Sequence, residues 1–230
     1  MSDIRARFDA LGEWYTRYEI AGEVVGGENS YADDYRTELF FSWFGRPRTI
    51  LELGSFEGGH SLTLAGPPFV ERLLGLEGRA ENIARSTLAV DLLGRGNVEF
   101  QQADLDADGA LAGLDRFDAV FCAGLLYHLA NPSRLLGAIG GLTDRLFLDT
   151  HYATEELDVD GRLGSWFHEL GPEHPLSGLT AESAWLTLPS LICAVNDAGF
   201  AVRHLVDVPD WAGNGRRAHL GCVRASTALD

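Results

Sequence analysis

Residues 49–60, Thr-Ile-Leu-Glu-Leu-Gly-Ser-Phe-Glu-Gly-Gly-His, constrain this chain more than any other stretch. Ile50-Leu51-Glu52-Leu53 is a short apolar run that reads as a buried strand. Glycines at 54, 58 and 59 then make a turn, and Ser61-Leu62-Thr63-Leu64-Ala65 reads as a short helix. Strand, glycine turn and helix together bring bare backbone up to a nucleotide-like ligand. Glycine is needed there because a side chain would block the approach or forbid the backbone angles.

The rest of the chain reads as repeats of that unit with additions at both ends. Ile4, Phe8, Leu11, Tyr15 and Tyr18 recur at three- and four-residue steps, which predicts an amphipathic helix broken at Gly22, Gly26 and Gly27. Ser30 with Asp33 is placed to cap a second helix carrying Tyr35, Leu39, Phe40, Trp43 and Phe44 and ending at Gly45. These two helices predict an N-terminal helical cap over residues 1–46. Their aromatics read as core, with Tyr15, Tyr18, Tyr31 and Arg36 as the side chains able to close over a ligand.

After the glycine turn, residues 72–77 read as a second strand and 79–93 as a helix with Ala80, Ile83, Ala84 and Leu88 on one face. Residues 97–101 read as a third strand, 109–114 as a short helix and 117–122 as a fourth strand. Asn131-Pro132 opens a helix in cap-then-proline order, and 145–149 is a fifth strand. Residues 151–188 have weak periodicity and turn signals at Gly161, Gly164, Gly171-Pro172 and Pro175, which predicts a lid. Thr187-Leu188-Pro189 starts a last helix ending at Gly199. The runs 200–208 and 218–223 close the chain, joined by a connector too short for a helix crossover, so they should pair antiparallel.

The pattern predicts an α/β fold with a seven-stranded, mostly parallel sheet, one antiparallel strand and helices on both faces. It predicts a single domain over 1–230, with a ligand-binding half at 47–150, a lid or substrate insertion at 151–188, and a final helix and strand pair at 189–230.

Charge narrows the partners. The formal net charge is −16 and all 18 basic residues are arginine. An acidic chain argues against a nucleic-acid substrate, since phosphate binding demands a basic footprint; Arg216-Arg217 is the only adjacent arginine pair. Lysine chemistry is excluded. Cys122, Cys193 and Cys222 are scattered and odd in number, which argues for a reducing compartment. The first residues, Met-Ser-Asp-Ile-Arg-Ala-Arg, lack the apolar core of a signal peptide, and no run approaches the ~18 apolar residues of a membrane span. A cytoplasmic protein without a membrane partner is expected, with its oligomeric state left open.

The candidate ligand residues stand at strand ends. Gly54 follows the first strand, and Glu77 ends the second, 23 positions later. A carboxylate there can accept both ribose hydroxyls. Asp104 follows the third strand, where its carboxylate and the Leu105 amide can meet an adenine edge. Cys122 and Ala123 end the fourth strand, at the expected switch point of the sheet. Open α/β sheets bind ligands at these carboxyl ends.

These stretches together resemble the class I S-adenosylmethionine-dependent methyltransferases, which have a Rossmann-like fold. The matching segments are Leu51-Glu52-Leu53-Gly54-Ser55-Phe56-Glu57-Gly58-Gly59, Leu76-Glu77-Gly78, Gln102-Ala103-Asp104-Leu105, and residues 117–129. The resemblance implies S-adenosylmethionine as cofactor. It places Glu52 and Gly54 near the methionine amino group, with Ser55 and Phe56 in the same turn. It gives Glu77, with Gly78 beside it, the ribose; Asp104 and Leu105 the adenine; and Cys122 and Ala123 the methionine part. Phe56 stands where the family has its central glycine, a departure that also weakens a nicotinamide-dependent oxidoreductase, which wants Gly-x-Gly-x-x-Gly.

Leu126-Tyr127-His128-Leu129-Ala130-Asn131-Pro132 and Leu186-Thr187-Leu188-Pro189-Ser190 are similar, more narrowly, to enzymes that modify the wobble uridine of tRNA and to related small-molecule methyltransferases. The acidic charge favours a small-molecule acceptor and makes the shared pattern ancestry. A hydroxyl acceptor needs its proton removed, and His151 and His128 are the candidate bases. His128 has the alternative of bonding only backbone at a helix start. Trp166 reads as packing, with His168 or Glu169 able to touch an acceptor. No metal is expected, because His151, His168, Glu169 and His174 match no familiar ligand spacing. A non-catalytic protein that binds the adenosyl ligand is the rival reading.

Overall fold

A computed structural model describes residues 3–159, 161–171, 173–210 and 213–225. Met1 and Ser2, Pro172 of an expected turn, and Trp211 and Ala212 of the late connector lie outside the described residues. The chain forms two compact units, Met1–Ala103 and Asp104–Asp230.

The first unit runs α1 (Asp3–Asp9), β1 (Arg17–Ile20), β2 (Glu23–Gly26), α2 (Tyr35–Phe44), β3 (Thr49–Leu53), α3 (Gly59–Leu64), β4 (Arg72–Glu77), α4 (Ala80–Leu92) and β5 (Val98–Gln102). β3 pairs parallel with β4, and β4 with β5. The expected long first helix stops at Asp9, and Tyr18 lies instead in an antiparallel hairpin of β1 and β2. Ala21 and Gly22 both have positive φ, 52° and 80°, the twist that a two-residue hairpin turn demands. From Arg17 onward burial follows a period of two, Tyr18 and Ile20 inward and Arg17 and Glu19 outward. Phe8, Tyr18, Ile20, Val25 and Ala89 form one core cluster. Each large apolar side chain there contributes about 1.5–3 kcal/mol. The cap of α2 is Asp34, which accepts from the Arg36 amide, and not Ser30; Gly45 ends the helix as expected.

The second unit runs β6 (Ala119–Ala123), a 3-10 turn at Leu126–His128, α5 (Pro132–Gly140), β7 (Arg145–His151), β8 (Leu157–Val159), β9 (Arg162–His168), β10 (Glu182–Leu186), α6 (Leu188–Asp197), β11 (Phe200–Val208) and β12 (Arg217–Arg224). No helix forms at 109–114; Gly109 and Gly113 take positive φ, 73° and 80°, and the segment is a run of turns. Asn131 caps α5 by accepting from the Arg134 amide, and Thr187 caps α6, both as expected.

One seven-stranded sheet has the order β11-β12-β7-β6-β3-β4-β5. β12 runs antiparallel to both β7 and β11, so it is the reversed strand in an otherwise parallel sheet, as the sequence indicates.

The segment 151–188 is more regular than expected. It carries a separate three-stranded antiparallel sheet, order β10-β9-β8. Its strands gave no readable alternation because apolar residues such as Leu157, Leu163, Trp166 and Phe167 point outward. Gly164, which reads as a turn signal in the sequence, is instead a strand residue. A Cβ there would lie 2.4 Å from the Trp185 carbonyl oxygen, so glycine lets β9 approach β10.

Candidate functional site

In the first unit the site elements gather around the turn after β3. Gly54 takes φ 74°, and the Gly54 and Ser55 amides both bond the Leu76 carbonyl at 2.9 and 3.0 Å. Phe56 takes φ 52°, a left-handed conformation uncommon for a bulky residue. Its ring meets Tyr15 edge-on at 5.9 Å. The Phe56 amide donates to Glu77 Oε2 at 3.0 Å, which ties the turn to the end of β4. Glu77 Oε1 accepts from the Arg79 amide at 2.9 Å and from Asn82 Nδ2 at 3.3 Å. A carboxylate offers about four acceptor positions, so Glu77 keeps one of them, on Oε2.

Two further buried carboxylates flank the turn. Glu52 bonds Ser61 Oγ, and its carboxyl is pushed up to about 8 by burial, with Glu77 adding to the rise. Glu57, which sequence reasoning did not single out, accepts from the Tyr15 and Thr16 amides at 3.0 and 2.6 Å and lies 3.5 Å from Arg85. It fastens the β1–β2 hairpin to the turn. The Ser55 hydroxyl is buried with no hydrogen-bond partner.

Beside α3, His60 Nε2 lies 3.0 Å from Asp34 Oδ2, and Arg36 bonds the same carboxylate. Burial works to raise the Asp34 carboxyl, but the Arg36 and His60 bonds outweigh it and hold Asp34 well below the usual range. Burial pushes the Tyr31 hydroxyl up to about 12.

In the second unit Asp104 is exposed and accepts from the Asp106 amide at 3.0 Å, while Leu105 is buried. Cys122 is fully buried, and burial, with Asp149 beside it, pushes its thiol up to about 12. Ala123 pairs with Asp149 across β6 and β7.

Asp149 organises the next cluster. It is fully buried and takes a bidentate bond from Arg217 of β12, 2.5 Å to Oδ1 and 2.7 Å to Oδ2. His219 Nδ1 lies 3.0 Å from Oδ1. His151 Nδ1 is 2.9 Å from the Arg216 carbonyl, and its Nε2 is 3.1 Å from Arg217 Nη1. A carbonyl only accepts and a guanidinium only donates, so His151 is neutral with its proton on Nδ1. Burial, and then Arg217, push its pKa down.

His128 stands apart from that cluster. Its Nδ1 is 3.0 Å from Glu169 Oε1, and Glu169 Oε2 accepts from Ser177 Oγ and the Gly178 amide, both at 2.8 Å. The Tyr127 ring lies against both histidines, 4.2 Å from His128 and 4.7 Å from His151. Trp185 stacks between His151 at 5.0 Å and Phe167 at 4.8 Å, and its buried Nε1 has no partner. A small hollow is lined by His151, Thr150, Leu126, Ala184, Leu186, Leu191 and Pro132.

The structure thus groups Gly54, Ser55 and Phe56 with Glu77 in the first unit, and His128 with His151 around Tyr127 in the second. Sequence reasoning missed Asp149 and Trp185 and noted Arg217 only as half of an arginine pair. Asp149, at a strand end, carried the one usable signal.

Residues 28–205 match the methyltransferase-domain family. The N-terminal domain of EvdMO1, crystallised in the presence of S-adenosylhomocysteine (SAH) and D-fucose, is 33% identical with a TM-score of 0.82, over 98% of each chain. A crystal structure of EvdMO1 is 30% identical with a TM-score of 0.71 over 97% of this chain and 47% of that one. A Burkholderia thailandensis 1,6-didemethyltoxoflavin-N1-methyltransferase with SAH bound shares the fold at 18% identity, TM-score 0.62, over 85% of this chain and 79% of that one. No curated protein sequence matches the chain. The chain belongs to the methyltransferase-domain family and is a methyltransferase by that membership, as its strand-end motifs indicate.

Proposed function

We propose that the protein methylates a small molecule bearing a free hydroxyl, of the size and polarity of a sugar. The methyl donor is S-adenosylmethionine, which supplies an electrophilic methyl group on a sulfonium. The observation that carries the reading is the Glu77 carboxylate, fixed at the end of β4 by the Phe56 amide with one acceptor position open. The turn fits such a ligand: Ser55 Oγ is a buried hydroxyl without a partner, and the Glu52 carboxyl, raised to about 8 by burial, is able to ionise against a cationic group. Glu52, Gly54, Ser55, Phe56, Glu77, Gly78, Asp104, Leu105, Cys122 and Ala123 would serve the cofactor. His128 and His151 would serve the acceptor, with residues 151–188 as the substrate-side insertion of a single functional domain.

The relative crystallised in the presence of D-fucose supports a sugar-like acceptor. The net charge of −16 supports treating the likeness to wobble-uridine enzymes as ancestry rather than substrate. No described helix is long and apolar enough to cross a membrane, and free Cys122, Cys193 and Cys222 suit a cytoplasmic location.

Calorimetry with SAH tests the cofactor assignment. Glu77→Ala should weaken SAH by about 10-fold or more, the loss of one charge-assisted hydrogen bond. An unchanged affinity, or binding of NADH in its place, would refute the assignment.

A further inference from the structure

We propose that His128 is the base that takes the acceptor's proton, and that Glu169 is the residue that positions it. This rests on the methyl-transfer reading above and specifies it as O-methylation. His128 sits on the 3-10 turn five residues beyond Ala123, at the carboxyl end of β6. Its Nδ1 faces both Glu169 oxygens, at 3.0 and 3.2 Å. An ionised carboxylate only accepts, so Nδ1 carries a proton, and in the neutral imidazole Nε2 then keeps its lone pair. No residue bonds Nε2 among the described residues.

The pair is built as an inner anchor and an outer imidazole. The Glu169 side chain is 2% exposed and that of His128 20%. Burial works to raise the Glu169 carboxyl, but its hydrogen bonds, led by that from His128, outweigh it and hold Glu169 at about 2, so it stays charged. Ser177 Oγ and the Gly178 amide hold its second oxygen. Gly178 is required for this approach, since a Cβ there would lie 2.5 Å from the His128 carbonyl oxygen. A base with an orienting carboxylate behind it and an open nitrogen in front is the arrangement that activates a hydroxyl nucleophile.

His151 has the opposite arrangement. Both of its nitrogens are occupied, by the Arg216 carbonyl and the Arg217 guanidinium. It forms a neutral wall stacked on Trp185 and has no lone pair to offer.

In the step assigned to His128, the acceptor oxygen bonds the methyl carbon while the carbon–sulfur bond breaks with its electron pair remaining on sulfur. The hydroxyl proton passes to His128 Nε2, and the imidazolium formed is stabilised by Glu169.

The test combines two-bond 1H–15N spectra of histidine-labelled, SAH-saturated full chain with methyl transfer to D-fucose as probe acceptor. Wild type should show His128 protonated at Nδ1 and bare at Nε2. Glu169→Gln should mix the two tautomers of His128 and leave His151 unchanged. With D-fucose, His128→Asn should lower kcat at least about 100-fold and Glu169→Gln about 10-fold, with SAH affinity unchanged by calorimetry. Ser177→Ala removes one bond to Glu169 but keeps its charge; it should retain the wild-type tautomer and guards against misfolding of Glu169→Gln. His128 protonated at Nε2, a tautomer indifferent to Glu169→Gln, or an undiminished rate in His128→Asn would each overturn the proposal. If wild type leaves D-fucose unmethylated, the sugar acceptor fails and the tautomers alone decide the pair. If SAH does not bind, the methyl-transfer reading fails instead.

Discussion

The glycine turn of the first unit and the β7–β12 cluster of the second hold carboxylates by different means, although the first unit also pairs Asp34 with Arg36 and His60 beside α3. In the first, Glu77 and Glu57 accept mainly from backbone amides, Glu52 is held by the Ser61 hydroxyl, and the nearest arginine to Glu57 stands 3.5 Å off. In the second, Asp149 faces a bidentate guanidinium and Glu169 an imidazole. Dipoles orient a carboxylate without cancelling its charge, whereas an arginine cancels it. The glycine turn of the first unit therefore holds a carboxylate that no arginine cancels, Glu77, where a cationic ligand would gain most, while burial raises the Glu52 carboxyl beside it to about 8. In the second unit Asp149 faces a guanidinium and Glu169 an imidazole, and His128 presents an Nε2 that no described residue bonds.

The sharpest way to break this contrast is Arg217→Ala. It leaves Asp149, fully buried, without its cation. Removing one partner of such a pair costs about 3–5 kcal/mol, to be read as a lowered urea midpoint at unchanged slope. A loss below about 1 kcal/mol would mean that water or His219 replaces the guanidinium and that the neutralisation is not local.

Glu52→Gln tests the other side of the contrast with the opposite sign. The Glu52 carboxyl titrates near 8 in the folded protein, against an ordinary value of 4.5. A raised folded value contributes stability fully present below about 4.5 that is lost as pH rises through about 8. Wild type should therefore lose stability across that window, while the glutamine variant, which keeps the bond to Ser61, should not. At pH 7 the variant should be more stable by at most about 3 kcal/mol, taking roughly 1.4 kcal/mol per unit. Parallel pH profiles for the two proteins would show that Glu52 is compensated after all.

What the sequence made legible follows the same physics. β3, β4 and α4 were readable within a residue or two, because buried parallel strands are continuous apolar runs and their glycine turns have few alternatives. The antiparallel β11–β12 pair was readable from the length of its connector. The β1–β2 hairpin was not, since Tyr15 and Tyr18 continue a helical spacing from Phe8 by coincidence, and only Ala21-Gly22 in the left-handed region reverses the chain. The sheet at 151–188 stayed hidden because its outward residues are as apolar as its inward ones. Candidate cofactor residues were found through strand ends. Pairings such as Asp149 with Arg217, 68 positions apart, and His128 with Glu169, 41 apart, have no local sequence signal.

The smallest expected effect separates folding from binding at one atom. Ser55 Oγ is buried in the turn and lacks a partner, so the ligand-free fold carries the desolvation of a hydroxyl with no bond to offset it. Ser55→Ala removes that group and leaves the Ser55 amide bond to the Leu76 carbonyl in place. The ligand-free protein should be unchanged or stabilised by up to about 1 kcal/mol, since deleting an unsatisfied buried hydroxyl removes a cost and opens almost no cavity. If that hydroxyl awaits the cofactor, SAH affinity should fall by about 3- to 10-fold, so the melting temperature rises slightly without ligand and the rise produced by ligand shrinks. A variant that lost stability with unchanged SAH affinity would show that Ser55 is satisfied within the fold.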